Sequence, residues 1–338
     1  MNRLALVVLL AALALTPRGL RAASVTEIHY VMGTYFRVTV DDRDAAHARA
    51  AMRACFAIAR EVDQRFSRFD PDSELSVLNA AAGQPGPTGV SDEMAALLRR
   101  ALMLQSRTGG AFDISVGAVT QLWRTSAVWP SRAAVRAARQ TVGAGAFDLI
   151  GPTLIRQPGV VLDVDGVAKG WAVDRCAAQL RAAGVGQALV NLGESSLYAI
   201  GAPAGTLGWD VTVRGLDDTT VVGTITLRNE AVSVSSVFGH ARRIGSGRVG
   251  HVVDPRNGHP LRSPAIALVV APSATDAEAF SKALLIDPDG QTSESGWASD
   301  PQVATVLITP GRMRQTGPTA FHPFKTPMSL AAVAEALP

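Results

Sequence analysis

An α+β chain is predicted, because helical patterns crowd the first half of the sequence while short apolar runs alternate with glycine-rich turns in the second. The regular strand–helix–strand alternation of a doubly wound parallel sheet is missing. Bulk composition agrees with a globular protein. The 338 residues are 47% hydrophobic and 18% charged, enough for one large or two medium domains with a proper core. No internal repeat is visible.

Met1, Asn2 and Arg3 precede an apolar run from Leu4 to Leu15 and then small residues, the pattern of a secretory signal. The run is short for a membrane span, and cleavage after Ala14 or near Ala22–Ala23 fits the pattern. No cysteine follows the run, so no lipid anchor is expected. We therefore expect residues 1–23 to be a removed signal, 24–338 to be one domain, and the protein to be exported to the periplasm. Without residues 1–23, Lys+Arg falls from 32 to 29 against 29 Asp+Glu. A neutral chain of this kind gives no reason to expect nucleic acid.

The elements follow in order. Thr26 to Met32 alternates with Ile28, Tyr30 and Met32 on one face, Phe36, Val38 and Val40 alternate likewise, and the two runs flank Gly33-Thr34 as a strand pair or a bent strand. Ala45 to Phe66 is an alanine-rich helix. A loop from Ser67 to Asp72 leads to a short helix opened by Ser73-Glu74-Leu75 and ending near Asn79. Ala81 to Gly89 is a linker, and Ser91 caps a helix through Leu104. Phe112-Asp113 begins a loop-to-helix segment reaching Trp123. Val160 to Leu162 reads as a buried strand and Gly166 to Ala183 as a helix. Short β-runs fill Ala188 to Leu227, followed by Val232–Val237, Val249–Val253 and Ala265–Val270. Thr275 to Leu285 is a helix, Val303 to Ile308 a strand, and Ser329 to Leu337 a closing helix.

Several residues carry chemistry. His251-Val252-Val253-Asp254-Pro255 puts an imidazole and a carboxylate at the mouth of a strand that Pro255 ends, with Asn257-Gly258 as a turn. Only three lysines occur, Lys169, Lys282 and Lys325, in a chain otherwise rich in arginine, so a retained lysine hints at a compact point charge. Leu162 to Asp174 reads as strand, turn and helix start, where free N–H groups and Lys169 would suit a phosphate or pyrophosphate. Gly245 to Gly250 matches a dinucleotide fingerprint on paper, but no helix follows it, and it reads as a hairpin turn. Cys55 and Cys176 sit in helical windows, and the sequence does not say whether they pair.

In order, Met32-Gly33-Thr34, Ser73-Glu74-Leu75 with Asn79, Gly110-Ala111-Phe112-Asp113, the Asp163–Asp174 block, Asn191-Leu192-Gly193 and His251 to Pro255 with Gly258 and Pro260 resemble successive motifs of the ApbE family, the FAD:protein FMN transferases. The resemblance implies a single α+β domain holding FAD in a cleft. It implies Mg²⁺-dependent transfer of FMN to a threonine of an exported flavoprotein, with release of AMP. By motif position His251 would be the base, with Asp254 orienting it or shaping the turn, and Lys169 would face the phosphates. Met32, Ala111, Phe112, Asp113 and Trp171 would line the flavin or adenine pocket. The Ala168 carbonyl would reach the metal.

The departures are specific. Where the family has Ala-Asp-x-x-x-Thr-Ala, this chain reads Ala277-Glu278-Ala279-Phe280-Ser281-Lys282-Ala283. Glu278, at the usual aspartate, stays a candidate metal ligand, but Lys282 cannot ligate Mg²⁺. Lys282 could pair with Glu278 one turn away or supply a fixed positive charge to the pyrophosphate. Gly193-Glu194-Ser195 replaces Gly-Gly-Asp, and Val234-Ser235-Ser236, with Phe238 beyond, replaces Thr-Ser-Gly. Asp165 replaces a glycine and brings either negative charge or help in holding a cation. The alternatives to a transferase are a flavin-binding relative that does not transfer, and an FAD pyrophosphatase.

Overall fold

Residues 23–84, 86–217, 219–245, 247–289, 296–318 and 321–329 are described by a computed structural model. Its centre is an eight-stranded antiparallel sheet whose strands neighbour one another in chain order: Ala23–Val31, Thr34–Asp42, Ala188–Leu192, Ser196–Ile200, Ala231–Ser236, Ile266–Ala271, Ala304–Thr309 and Arg312–Thr316. Helices Ala45–Phe66 (α1), Glu74–Ala80 (α2), Asp92–Arg107 (α3), Gly117–Thr125 (α4), Arg132–Arg139 (α5), Ala168–Ala182 (α6) and Ala274–Ile286 (α7) complete the α+β fold, most of them in the N-terminal half. Among the described residues no helix is long and apolar enough to cross a membrane.

The central strands are buried on both faces, and this explains their unbroken apolar runs. In Ile266–Ala271, Ala267, Val269 and Ala271 face the core shared with α1, α6 and α7. Ile266, Leu268 and Val270 face a smaller sheet of Trp209–Arg214, Thr220–Leu227 and Phe321–Ser329, packing against Val213, Ile225, Leu227 and Phe321. Cys55 of α1 and Cys176 of α6 form a disulfide with Cα atoms 4.7 Å apart, closing a pairing the sequence left open.

Two expectations change, and the first hairpin acquires an orientation that its alternation left open. In the first hairpin Val25 and Val31 are buried, and His29 on the same face is half-open and stacks on Phe56 at 3.7 Å. Ile28 and Tyr30 face out, because on an edge strand the face laid on α1 decides orientation. Val160 to Leu162 is buried but is not a strand. It makes one bridge, Val161 to Val116, since no neighbouring strand is there to pair with. Val249 to Val253 is likewise broken: Gly247–Val249 pairs with Arg242–Ile244, while Val253–Asp254 pairs with His259–Pro260. The predicted closing helix lies outside the described residues except Ser329, which ends a strand.

Asp174 holds the functional end of the molecule together. From α6 it accepts hydrogen bonds from the Ala274 and Thr275 amides at 2.7 and 2.9 Å, and from the Ser273 and Thr275 hydroxyls at 2.7 and 2.6 Å. It thereby caps the N-terminus of α7 from the neighbouring helix. Asp174→Ala strands these buried donors, and a thermal melt is expected to show a loss of about 3 kcal/mol. A loss no larger than that of an exposed aspartate would contradict this role.

Candidate active site

The strand-to-helix connections meet in one cleft of about 1420 Å³, a size suited to a dinucleotide. Its walls come from the Met32–Thr34 turn, the loop before α4, the N-terminus of α6, the middle of α7 and the chain around His251. Met32, Ala111, Phe112, Asp113, Asp165, Ala168, Lys169, His251 and Lys282 all line it. Trp171, Asp254 and Glu278 do not.

Local chemistry fixes each wall. Met32 adopts φ 53° in the tight turn, a left-handed conformation costly for a side-chain-bearing residue, and Asp63 accepts its amide at 3.0 Å. The Thr108 hydroxyl accepts the Phe112 amide at 3.1 Å, and Asp113 closes its own turn on Ser115 through the amide at 2.8 Å and the hydroxyl at 2.6 Å. Ser281 of α7 bonds to Ser235 at 2.7 Å and Ser233 at 3.2 Å, pinning α7 to the sheet so that Lys282 projects into the cleft.

Asp254 shapes the turn, the second of the two roles considered for it. It is buried, and its carboxylate accepts the Arg256 amide, the Arg256 guanidinium and the Asn257 amide group at 2.9 to 3.0 Å. Trp171 points towards α3, where its indole N–H donates to Glu93 at 3.0 Å. Two positions along a helix from Lys169, it falls on the opposite face.

The N-terminus of α6 differs from the expected open phosphate cradle. The Val167 and Ala168 amides already bond the Val164 carbonyl, and the Gly170 amide donates to Glu278 Oε2 at 3.0 Å. A buried carboxylate from α7 thus takes the favoured position at the helix's positive end. Among the described residues Glu278 Oε1 has no hydrogen-bond partner, and Lys282 Nζ lies 4.0 Å from it. The Lys282 Cε in turn lies 4.0 Å from where a Cβ on Gly166 would stand.

This arrangement does not make a magnesium site. Magnesium needs near-octahedral oxygen donors, whereas here an ammonium stands beside Glu278 Oε1. Among the described residues no group of three His, Cys, Asp or Glu side chains converges. Asp165 does not leave unbalanced charge near the lysines, since Arg68 binds it at 2.6 Å and Arg124 at 3.4 Å. Arg68, Arg124 and Ser195, which bonds the Lys169 ammonium, are site residues that sequence reasoning did not assign. Arginine is too common in this chain, and Ser195 too ordinary, to signal a role.

Two groups have shifted protonation. Crowding by the cleft walls, with the charges of His240, Lys282 and Lys169 added, lowers the His251 imidazole to about 4. Because the residue's outer edge is open to solvent, the cations are the firmer cause. His251 is neutral at pH 7 and can accept a proton. Burial lowers the Lys282 ammonium to about 8, Glu278 opposing and Lys169 reinforcing the shift, so that it is still mostly charged at pH 7.

Comparison with known proteins agrees with this architecture. The sequence model of the ApbE family, so described, matches residues 32–304. The chain is 30% identical over 292 residues to the FAD:protein FMN transferase of Treponema pallidum (strain Nichols), covering 79% of each. It is 28% identical over 269 residues to that of Klebsiella pneumoniae (strain 342), covering 75% of this chain and 76% of the relative. The solved flavin transferase ApbE from Vibrio cholerae superposes with a TM-score of 0.75 at 22% identity, over 87% of this chain and 97% of that one, a likeness of fold. With ordered motifs, cleft and fold in agreement over most of its length, the chain belongs to the ApbE family.

Proposed function

We propose that this protein transfers FMN from FAD to a hydroxyl of an acceptor protein. The observation that carries this reading is a neutral imidazole, His251, in the same cleft as two ammonium groups, Lys169 and Lys282. The acceptor hydroxyl gives its proton to His251 while its oxygen bonds to the flavin-side phosphorus. The bond from that phosphorus to the bridging oxygen breaks, and AMP leaves with the electron pair. Lys169 and Lys282 offset the charge that gathers on the phosphate oxygens. The acceptor hydroxyl is that of a threonine in an exported flavoprotein. The apolar N-terminal run and the Cys55–Cys176 bridge support a periplasmic setting, where disulfides persist. Lys282 stands beside Glu278, where the resemblance expects a metal, and its charge takes the place of the cation's.

Intact mass after incubation with FAD and a threonine-bearing acceptor domain tests both parts. The acceptor is expected to gain one FMN phosphoester, with rates in Mg²⁺ and in EDTA agreeing within about twofold, and Lys282→Met is expected to slow the gain about a hundredfold in either buffer. Bound FAD without a mass gain would favour the flavin-binding alternative, and free FMN and AMP without labelled acceptor would favour hydrolysis. The named relatives favour neither. A gain that needs Mg²⁺ would return the metal to the mechanism.

A further inference from the structure

One wall of the cleft is a lobe with its own small core and an extreme charge. Residues 114–147 contain no carboxylate, and residues 237–265 contain only Asp254; together the two stretches carry nine arginines. Asp254 is already held by Arg256 and Asn257. The two stretches are distant in sequence but pack as one unit. Val119 and Trp123 of α4 and Val135 of α5 meet Ile244, Val249 and Val253. The Trp123 indole donates to the Gly258 carbonyl at 2.8 Å, and Arg242 donates to the Trp123 carbonyl at 2.9 Å.

Most of these arginines are exposed and point outward. Arg132, Arg136 and Arg139 are exposed along one side of α5, bordering a groove of about 630 Å³ with Asn257 and His259. Arg243, Arg248 and Arg262 are also exposed, and Arg262 lies over the half-open Trp129 ring at 5.4 Å. Among the described residues none of these six has a carboxylate within ion-pair distance. The chain as a whole is close to balanced, so this is segregation of charge rather than general basicity. Arginine and tryptophan side by side are also what binding hot spots are made of.

The α5 groove is separate from the FAD-sized cleft, yet the lobe that bears it supplies Arg124, Val249 and Arg242 to the cleft wall beside His251. A partner seated on the lobe and extending over its Arg124–Arg242 side therefore borders the cleft that holds His251. We propose that this arginine-rich lobe is the docking surface for the acceptor protein, which presents a carboxylate-rich face beside the hydroxyl it delivers. The inference rests on the transferase reading for the identity of the occupant, while the surface itself is tested by binding.

Two fluorescein-labelled peptides serve as probes, one with a single threonine among glutamates and one with lysines in their place. Anisotropy at low salt should show the glutamate peptide binding and the lysine peptide not. Arg132→Glu/Arg136→Glu/Arg139→Glu should weaken the glutamate peptide at least about tenfold, with FAD affinity changed by less than about twofold. Equal binding of the two peptides, or no change in the triple variant, overturns the proposal. Binding to phosphatidylglycerol vesicles but not to the glutamate peptide also overturns it, in favour of a membrane surface. Peptide binding that the triple variant loses, without any FMN transfer, would leave the docking surface standing and remove the proposed activity.

Discussion

His251→Ala is expected to cut the rate of FMN transfer about a thousandfold while FAD affinity changes by no more than about twofold. In the proposed mechanism the neutral imidazole would be the base, and the phosphates would be met by Lys169 and Lys282, which line the same cleft. The pH dependence follows from the two shifted groups. His251 is a base only when unprotonated. Since its folded value is depressed to about 4, activity on the free enzyme should hold as pH falls and drop only near that value. Lys282 acts only when charged, so activity should decline as pH rises through about 8. Bound FAD brings negative charge that stabilises both cations, and both limbs should move upward in the kcat profile relative to kcat/KM. Lys282→Met should remove the alkaline limb, and His251→Ala the acid one. A His251→Ala enzyme with wild-type turnover would eliminate the histidine as base.

Gly170→Ala is expected to destabilise the protein by about 3 kcal/mol, enough to lower a thermal midpoint by about 6 °C or more. By helix propensity alone the same change should stabilise the protein by about 1 kcal/mol, so the sign separates the two arguments. A Cβ on Gly170 would stand 2.5 Å from the Ala274 carbonyl oxygen, 2.6 Å from its carbon and 2.7 Å from the Thr275 amide nitrogen. All three are backbone atoms at the start of α7, held there by Asp174, and none can rotate away. Relief requires α6 and α7 to separate, which would also break the Gly170–Glu278 hydrogen bond and move Lys282 relative to Lys169. Transfer should therefore fall together with the melting temperature. A variant as stable as the parent would show that the two helices are not packed this closely.

Much of the fold is written in local pattern. α1 coincides with its sequence expectation because Asp44 caps it and its alanine-rich face recurs at helical spacing up to Phe66. Ser73 and Ser91 mark the starts of α2 and α3 by the same capping chemistry. α5 and the strands Phe147–Ile150 and Thr153–Arg156 leave no comparable trace. α5 is eight residues long and buries a single large apolar side chain, Val135. The first hairpin is incompletely legible for a related reason: alternation puts Ile28 and Tyr30 on one face, but whether that face is buried depends on which side meets α1.

The site divides in the same way. Sequence by itself determined the fold class, most of the helices, nine of the residues that line the cleft and the presence of a lysine where oxygen donors were expected. These are properties of spacing and side-chain type, which one chain carries along its length. The tertiary structure decided that Asp254 holds a turn, that Trp171 faces α3, that Glu278 occupies the α6 terminus and that the scattered arginines of two stretches form one face. Each of these depends on which distant backbone amide or side chain arrives at the same point. Long-range antiparallel pairing and the docking of α6 on α7 set those meetings, and no local pattern encodes them.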